Sequence, residues 1–388
     1  MTKQPHNTAV LLGSASFVFL NFGLPVRADE LGMDALAIGG TYTLFTATLL
    51  LLRPLVGICL DRFGRRWFFS GAFVFYALAM TVFSGLEGVG GFYLGRFLQG
   101  IGAALMWVTA RTIVADTNPA SQYAEAMGAL TASSVRGSMF GAFFGFTLLG
   151  FLPMATAWQW AFAGYALAAL GALLWSLRSV PESRPLAQAS ETDDNPLPRT
   201  RAFWQVLLIV FLTSFATTLV EPIYLLMLRH KFDVGAQLLA AVFLPAGLVY
   251  AVLPRYAGRW ADRYSRPWLV VIGVTAAALV TASMPMLPAL SLVAASYIFF
   301  ACGWAVASPA LEGMTASFAN THNRGRVMGA KEAASGVGAA VGPLLGGALY
   351  EYVSVVSAFW LNGLVLILAA AMTLYFFLVS ARQDDAAA

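Results

Sequence analysis

The sequence predicts an all-α membrane protein, with twelve transmembrane helices in two pseudo-symmetric six-helix bundles. Of its 388 residues 59% are hydrophobic and 11% charged, whereas soluble domains carry about 25% charged residues. Apolar runs long enough to span a bilayer, about 20 residues, recur along the whole chain. A short charged stretch, GICLDRFGRR at 57–66, returns in altered form as GRWADRYSRP at 258–267.

The predicted spans are helices and not barrel strands, because their apolar runs are continuous and do not alternate with polar residues. Their ends are set only to within several residues, since long helices tilt in the bilayer. The twelve runs lie near 8–28, 37–60, 67–86, 90–114, 122–149, 155–178, 203–228, 236–256, 267–286, 289–317, 326–350 and 354–380.

The placement of basic residues predicts the orientation. Most Lys and Arg fall on the side of the spans that holds both termini, and the opposite loops hold only Arg27, Arg229 and Lys231. Cytoplasmic loops carry the excess of Lys and Arg, so both termini are predicted to be cytoplasmic in a bacterial-type inner membrane. The net charge of +4 is therefore a topology signal, and no nucleic-acid partner is expected.

The two halves of the chain match at a constant offset of 201 residues. AMGA at 126–129 matches VMGA at 327–330, and several glycines hold the same offset. Matches in register over most of a half indicate duplication. Between the halves lies a polar stretch rich in Pro, Ser and acidic residues. The predicted organisation is an N-terminal bundle at 1–180, a cytoplasmic linker at 181–202 and a C-terminal bundle at 203–388.

Two motifs resemble those of one transporter family. The stretch 57–66 resembles the loop between helices 2 and 3 of the major facilitator superfamily, and GRFLQGIG at 95–102 resembles its helix 4 motif. The chain is most similar in length and loops to the twelve-helix drug and metabolite:proton antiporters. The resemblance implies two six-helix bundles around a central cavity, which opens alternately to the two sides of the membrane.

The loop motif is predicted to be a gating element. A glycine lets a neighbouring helix approach closely, and a carboxylate at a helix end accepts from the free N–H groups of another helix. By the resemblance, the partner of Asp61 is the start of helix 11. The alternative is a charged loop that only sets topology, and the second copy is the more degraded. The predicted residues are Gly57, Asp61, Arg62, Gly64, Arg65 and Arg66, and in the second copy Gly258, Asp262, Arg263 and Arg266.

Ionisable residues at membrane depth are functional candidates by default. Arg136 falls near the middle of helix 5, and Glu221 precedes Pro222 late in helix 7, where a carboxylate can bind a proton. The resemblance links Arg96 to proton coupling. The alternative for Arg136 is hydrogen bonding to helix carbonyls. For Glu221 it is a position near external water, and for Arg96 it is helix packing. The candidates for proton coupling and the substrate cavity are Arg96, Arg136, Glu221, Asn21, Trp107 and Trp304.

Two further sets have structural predictions. Charges near the cytoplasmic helix ends are expected to form a network, in which Arg111 and Glu312 pair with each other or with neighbouring charges. The members of this network are Arg53, Arg111, Asp116 and Glu312. Small residues let helices pack closely. The residues predicted for helix packing are Gly100, Gly102, Gly141, Gly145, Gly342, Pro343 and Gly346.

What the sequence lacks narrows the function. It has no phosphate-binding G-x-x-x-x-G-K-[ST] loop, and its three histidines are far apart. We therefore expect no enzyme, no cofactor and no metal. The leading hypothesis is a monomeric secondary transporter that couples protons to the export of a small amphipathic drug or metabolite. The alternative is a proton-coupled symporter that imports an organic anion, suggested by the arginines within the membrane.

Overall fold

Every regular element that the structure describes is helical. The computed structural model describes residues 4–118, 123–183, 197–242, 245–246, 249, 253, 265–318 and 324–387. The chain divides into two compact units, Met1–Ala189 and Ser190–Ala388. The predicted linker lies largely outside the described residues, so its bounds and those of the two bundles stay predictions.

Among its described residues the first unit has seven helices, of which the first two together form one predicted span. Their bounds are α1 Pro5–Gly13, α2 Phe17–Glu30, α3 Ala35–Phe63, α4 Arg66–Gly85, α5 Val89–Thr117, α6 Tyr123–Phe151 and α7 Met154–Ser179.

Five helices of the second unit are described along their length, together with a 3-10 turn at Met284–Met286. Residues 236–242 are also helical, but most of the predicted eighth span lies outside the described residues. The helices are α8 Arg201–Phe232, α9 Arg266–Ser283, α10 Leu290–Ala316, α11 Arg324–Tyr352 and α12 Val355–Ala387.

Ten helical segments in the described part of the chain are long and apolar enough to cross a membrane. α6 is as long as its neighbours but is not among the ten, since it is rich in Gly, Ser and Thr and carries Arg136. The all-α membrane fold that the sequence predicted is confirmed.

Local signals explain where several helices begin and end. The Asp34 carboxylate accepts from the Ala37 N–H at 2.6 Å and caps the start of α3, and Thr200 caps α8 in the same way. Such caps satisfy backbone donors that have no partner within the helix. Gly64 ends α3 with a φ of 89°, a conformation that glycine adopts without steric cost.

The first predicted span, taken from the sequence as one run, is interrupted by a turn between α1 and α2. Residues 14–16 form a turn, in which the Ser14 carbonyl accepts from the Phe17 N–H at 3.2 Å. Backbone groups within a membrane need such partners. The Ser138 hydroxyl on α6 donates to the Ser14 carbonyl at 3.0 Å. The two hydroxyls of Ser14 and Ser134 also lie 2.8 Å apart. Polar contacts from α6 therefore stabilise the turn.

The two units repeat the same helix pairings. In the first unit α4 packs against α5 and α7, and α1 and α2 pack against α6. In the second unit α9 packs against α10 and α12, and α8 packs against α11. These are the pairings that a 201-residue duplication requires, so the pseudo-symmetric architecture is confirmed.

Candidate functional site

A cavity of about 280 Å³ lies within the first unit, between α2, α3 and α5. Cavities that bind drug-sized ligands span about 300–1,000 Å³, so this one is just below that range. Its walls combine aromatic rings with amide and guanidinium groups. The lining residues are Phe17, Asn21, Phe45, Leu49, Arg53, Arg96, Gln99, Ala103 and Trp107.

Helix geometry explains why α5 dominates this wall. Arg96, Gln99, Ala103 and Trp107 follow one another at intervals of three or four residues, which places them on one face. Gly100 lies on the same helix, and a Cβ there would be 2.8 Å from the Thr48 side chain. α5 therefore approaches α3 closely at this level, and the face bearing Arg96 is held against the cavity.

Arg96 is the largest fully buried side chain of the first unit, with a relative exposure of 1%. Its guanidinium carbon lies 4.4 Å from the ring centre of Tyr42 and 5.5 Å from that of Phe45. Such cation–π contacts contribute about 0.5–2 kcal/mol each. Nη1 also donates to the Gln99 Oε1 atom at 3.0 Å. These partners hold the guanidinium in one orientation.

Tyr42 links the cavity walls. Its hydroxyl donates to the Asn21 carbonyl at 3.0 Å, which ties α3 to α2. Its ring meanwhile faces Arg96 on α5. Tyr42 was not among the sequence-predicted candidates. An aromatic residue three positions before Phe45 in an apolar helix gives no signal that separates a cavity wall from ordinary packing.

Arg53 lies on the cavity wall and not only near the cytoplasmic charges where the sequence placed it. It follows Phe45 and Leu49 at intervals of four residues on α3, so the three share a face. Two guanidinium groups and no carboxylate are thus among the cavity-lining residues.

A second polar cluster lies at the cytoplasmic end predicted for the first unit. Arg65 Nε donates to Asp116 Oδ2 at 2.9 Å, and the two side chains are only 7% and 11% exposed. Arg65 Nη1 also donates to the Leu60 carbonyl at 2.9 Å. The predicted gating residue Arg65 and the predicted network residue Asp116 therefore form one buried ion pair.

Glu182 joins this cluster and was missed by the sequence reasoning. Its carboxylate accepts from the backbone N–H groups of Arg65 at 2.7 Å and Arg66 at 3.1 Å. A carboxylate at this position is stabilised by the helix dipole of α4. A Cβ at Gly64 would be 2.6 Å from the Glu182 carboxylate, so glycine leaves room for this cap. The available signal was an acidic residue directly after α7, on the same side of the membrane.

The second unit carries its charges differently. Glu221 is exposed on α8, immediately before the buried Pro222. Glu312 on α10 forms an ion pair with Lys331 on α11, and Glu332 lies 3.4 Å from the same ammonium group. Glu312 thus has a partner within its own unit.

The other predicted polar residues occupy varied positions. Arg136 is exposed on α6. Arg111 lies over the Trp107 ring at 5.8 Å, and Arg62 lies over Phe63 at 5.4 Å. Trp304 packs against the apolar core of the second unit. Their functional roles stay predictions.

The second motif copy is described only at its end. Arg266 Nη1 donates to the Gly313 carbonyl at 3.0 Å, which ties the start of α9 to α10. Gly258, Asp262 and Arg263 lie outside the described residues, as does the Asp61 side chain.

Several of the predicted packing glycines lie where two helices nearly touch. A Cβ at Gly141 would be 1.8 Å from the Ala15 carbonyl oxygen, and one at Gly346 would be 1.9 Å from that of Leu219. Gly145 and Gly342 are similarly close to the facing helix, Gly102 is close to α4, and Pro343 lies inside α11. By contrast, a Cβ at Gly57 would meet no described atom of its own unit within 4 Å. The predicted close approach at Gly57 is therefore not formed within the first unit.

Comparisons with known proteins agree with this architecture. The family model described as Major Facilitator Superfamily matches residues 8–330 and 206–388. Multidrug resistance protein 1 of Bacillus subtilis (strain 168) is 24% identical to the chain, over 96% of the chain and 97% of that protein. Multidrug resistance protein 2 of the same organism is also 24% identical, over 98% and 96%.

Solved structures share the fold at low sequence identity. A D-xylose-proton symporter has a TM-score of 0.75 at 17% identity, covering 96% of each chain. The human organic anion transporter MFSD10 (TETRAN) has a TM-score of 0.68 at 18% identity, covering 95% of this chain and 98% of its own.

Proposed function

The chain belongs to the Major Facilitator Superfamily, and we propose that it couples protons to the export of a small amphipathic drug or metabolite. Membership of the family makes the chain a multi-pass membrane transporter of small molecules. The proposal adds the direction of transport, the coupling ion and a cytoplasmic membrane with both termini inside the cell.

The observation that carries the proposal is the cavity in the first unit. It offers apolar and aromatic surface next to a few fixed polar groups, the composition typical of small-molecule sites. An amphipathic molecule matches both kinds of wall. The names of the relatives in Bacillus subtilis, both multidrug resistance proteins, support export.

Proton coupling requires a group that takes up and releases a proton during the cycle. Glu221 is an exposed carboxylate next to a proline within a membrane-spanning helix, and acidic residues inside spans mark proton paths in transporters. Glu312 and Glu332 share Lys331 as a charge partner. We assign Glu221 as the proton-binding group.

A second candidate function is the proton-coupled import of an organic anion. The observation that favours it is the presence of two guanidinium groups and no carboxylate among the cavity-lining residues. It differs from the first candidate in the direction of transport, and uptake by whole cells separates the two.

The test of the proposed function uses everted membrane vesicles with an imposed pH gradient and a pH-reporting dye. Tetraphenylphosphonium, chloramphenicol and naphthalene-2-sulfonate are added in turn to vesicles with wild type, Glu221→Gln or no transporter. We expect at least one compound to collapse the gradient with wild type only, because Gln cannot carry the proton.

Glu351→Gln is the matched control, since Glu351 is an exposed carboxylate of the second unit at the end of α11. It should behave as wild type. Gradient collapse by Glu221→Gln at the wild-type rate would remove Glu221 from the coupling path. If none of the compounds collapses the gradient but cells take up the sulfonate, transport is import and the export proposal fails.

A further inference from the structure

We propose that a groove between α4 and α7, on the exposed surface of the first unit, binds one anionic phospholipid, with Arg66 and Arg178 at its phosphate group. The groove is separate from the cavity, whose lining residues come from α2, α3 and α5. The inference therefore goes beyond the proposed function, and its test does not involve transport.

The groove follows from the way α4 and α7 pack. Arg66 Nη2 donates to the Leu177 carbonyl, which joins the start of α4 to the end of α7. The end of α4 in turn contacts the start of α7 through the Trp158 indole, so the two helices are antiparallel. Each residue of an α-helix points about 100° further round the axis than the one before it. In an antiparallel pair, the residues that directly follow the contact residues therefore point to the same side. Here these residues are Trp67 and Arg178.

Two rows of side chains extend this side of the helix pair into the membrane. Their members recur at intervals of three or four residues, so each row lies on one face of its helix. All are exposed except the partly buried Gly71, and Trp67 and Leu167 are 68% and 70% exposed. A Cβ at Gly71 would meet no described atom within 4 Å, so space is open where an acyl chain can lie. The rows are Trp67, Gly71, Val74 and Leu78 on α4 and Leu167, Leu170, Leu174 and Arg178 on α7.

The predicted cytoplasmic end of the groove carries two guanidinium groups. Arg178 is exposed and makes no ion pair among the described residues. The Arg66 guanidinium carbon lies 5.9 Å from the Trp67 ring centre, and Glu182 meets Arg66 through its backbone N–H. Guanidinium groups bind phosphate oxygens through charge-assisted hydrogen bonds. Because Arg66 already contacts the residue before Arg178, one phosphate group at this end can contact both arginines.

The Trp67 indole marks the level of the lipid headgroups, since Trp rings concentrate at the interface between membrane and water. Basic residues near the membrane surface attract anionic lipids by about 1 kcal/mol each. A zwitterionic lipid would bring a further cation next to the two arginines. The groove therefore favours a phospholipid whose headgroup has a net negative charge.

The second unit does not repeat this charge. The positions 201 residues after Arg66 and Arg178 are Pro267 and Val379. Since α9 and α12 pack as α4 and α7 do, the shared pairing of helices forms without arginines at these two places. Their presence in the first unit therefore indicates a role beyond helix pairing.

The test measures lipid binding to the purified full-length protein in neutral detergent. Anionic dioleoylphosphatidylglycerol and zwitterionic dioleoylphosphatidylcholine are titrated separately, and bound lipid is counted by mass spectrometry of the intact complex. We expect the first phosphatidylglycerol to bind at least about tenfold more tightly than phosphatidylcholine, because two arginines face its phosphate. Glycerophosphoglycerol, the same headgroup without acyl chains, should not displace it at equal concentration.

Two variants address the charged end and the apolar part of the groove. Arg178→Gln should weaken phosphatidylglycerol binding about fivefold, the equivalent of about 1 kcal/mol, and leave phosphatidylcholine binding unchanged. Gly71→Leu should weaken the binding of both lipids, because its side chain fills the space for an acyl chain. Neither change removes a described contact between helices, so both variants should fold, which thermal unfolding checks.

Matched controls change the same kinds of residue elsewhere. Arg201→Gln removes one exposed positive charge at the start of α8. Gly85→Leu adds the same side chain at the other end of α4, where a Cβ also meets no described atom within 4 Å. Both should bind the two lipids as wild type does.

The proposal fails if phosphatidylcholine binds as tightly as phosphatidylglycerol, or if either Arg178→Gln or Gly71→Leu binds as wild type. It also fails if Arg201→Gln loses as much affinity as Arg178→Gln, which would indicate general attraction to a positive surface. Displacement by glycerophosphoglycerol would indicate a site for free anions and reject the lipid. None of these measurements involves Glu221 or a pH gradient, so failure here is distinguishable from failure of proton-coupled export.

Discussion

At the positions where the first unit has Arg96 and Gln99 on α5, the second unit has Tyr297 and Phe300 on α10, 201 residues later. Tyr297 stacks on Tyr224 with ring centres 5.2 Å apart, and on Phe300 at 5.6 Å. The same place in the repeated helix thus holds a polar, cavity-lining pair in one unit, with one charged member, and an aromatic stack in the other.

The helix contacts beneath these positions did not diverge in the same way. Three glycines of α6 lie against the first span: Gly137 against α1, Gly141 against the turn and Gly145 against α2. The glycines 201 residues later on α11 lie against α8. Ser134 and its counterpart Ser335 each make an interhelical serine contact, at 2.8 and 3.1 Å. The two units therefore share the close packing of helix backbones but differ in the side chains at equivalent positions.

The largest effect should come from adding one methyl group at the close helix contacts that both units share. Gly141→Ala and Gly346→Ala place a Cβ within 2 Å of a facing carbonyl oxygen. We expect each to cost more than about 3 kcal/mol through overpacking. The Tm of the purified protein should then fall by about 10 °C, as measured by thermal unfolding in detergent.

Gly128 and Gly329 provide matched controls on the same two helices. They are 201 residues apart, and a Cβ at either would meet no atom within 4 Å. Alanine there should keep or raise the Tm, since it favours a helix over glycine by about 1 kcal/mol. A wild-type Tm in both contact variants would show that these helices separate without cost.

An intermediate effect should distinguish the ion pairs of the two units. Asp116→Asn removes the partner of the buried Arg65, and breaking a buried pair costs about 3 kcal/mol or more. Glu312→Gln affects a pair whose carboxylate is 52% exposed, where we expect at most about 1 kcal/mol. The Tm difference between the two variants measures this asymmetry, and equal losses would contradict it.

The smallest loss of stability should come from removing the equivalent serine contacts of the two units. Ser134→Ala and Ser335→Ala each remove one interhelical hydroxyl contact, and such contacts average about 0.6 kcal/mol in membrane proteins. We expect both to lower stability by the same small amount. Ser296→Ala is the control, because its hydroxyl donates to Val293 within its own helix. A loss in one unit that is several times larger than in the other would refute equivalence of the two contacts.

Much of the fold was predictable from the sequence, because membrane spans depend on local composition. The apolar runs placed the helices, and the 201-residue offset predicted which of them are equivalent. The turn between α1 and α2 was not predictable, since its small residues, Ser-Ala-Ser at 14–16, resemble Ala-Ser-Ser at 132–134, which is helical. The Ser138 hydroxyl that contacts it belongs to a helix more than 100 residues later in the chain.

The candidate site was predictable only in part. Arg96, Asn21 and Trp107 were identified as cavity candidates, and all three line the cavity. The sequence placed Arg53 in a charge network, and only the structure shows that it also lines the cavity. A sequence gives the depth of a residue but not the direction its side chain faces. The cavity role of Trp304 stays a prediction. Glu182 was overlooked, since its importance lies in two N–H groups more than 100 residues earlier in the chain.

The sequence by itself determined that the protein spans a membrane, that it is helical, that it is internally duplicated and which family it belongs to. Each of these depends on composition, period and short motifs. Only the tertiary structure decided which charges meet and which face a cavity. Those outcomes depend on helix rotation and on contacts between distant segments, such as Tyr42 with Arg96 and Glu182 with the start of α4. A side chain's neighbours, and therefore its chemistry, are established only when the helices pack.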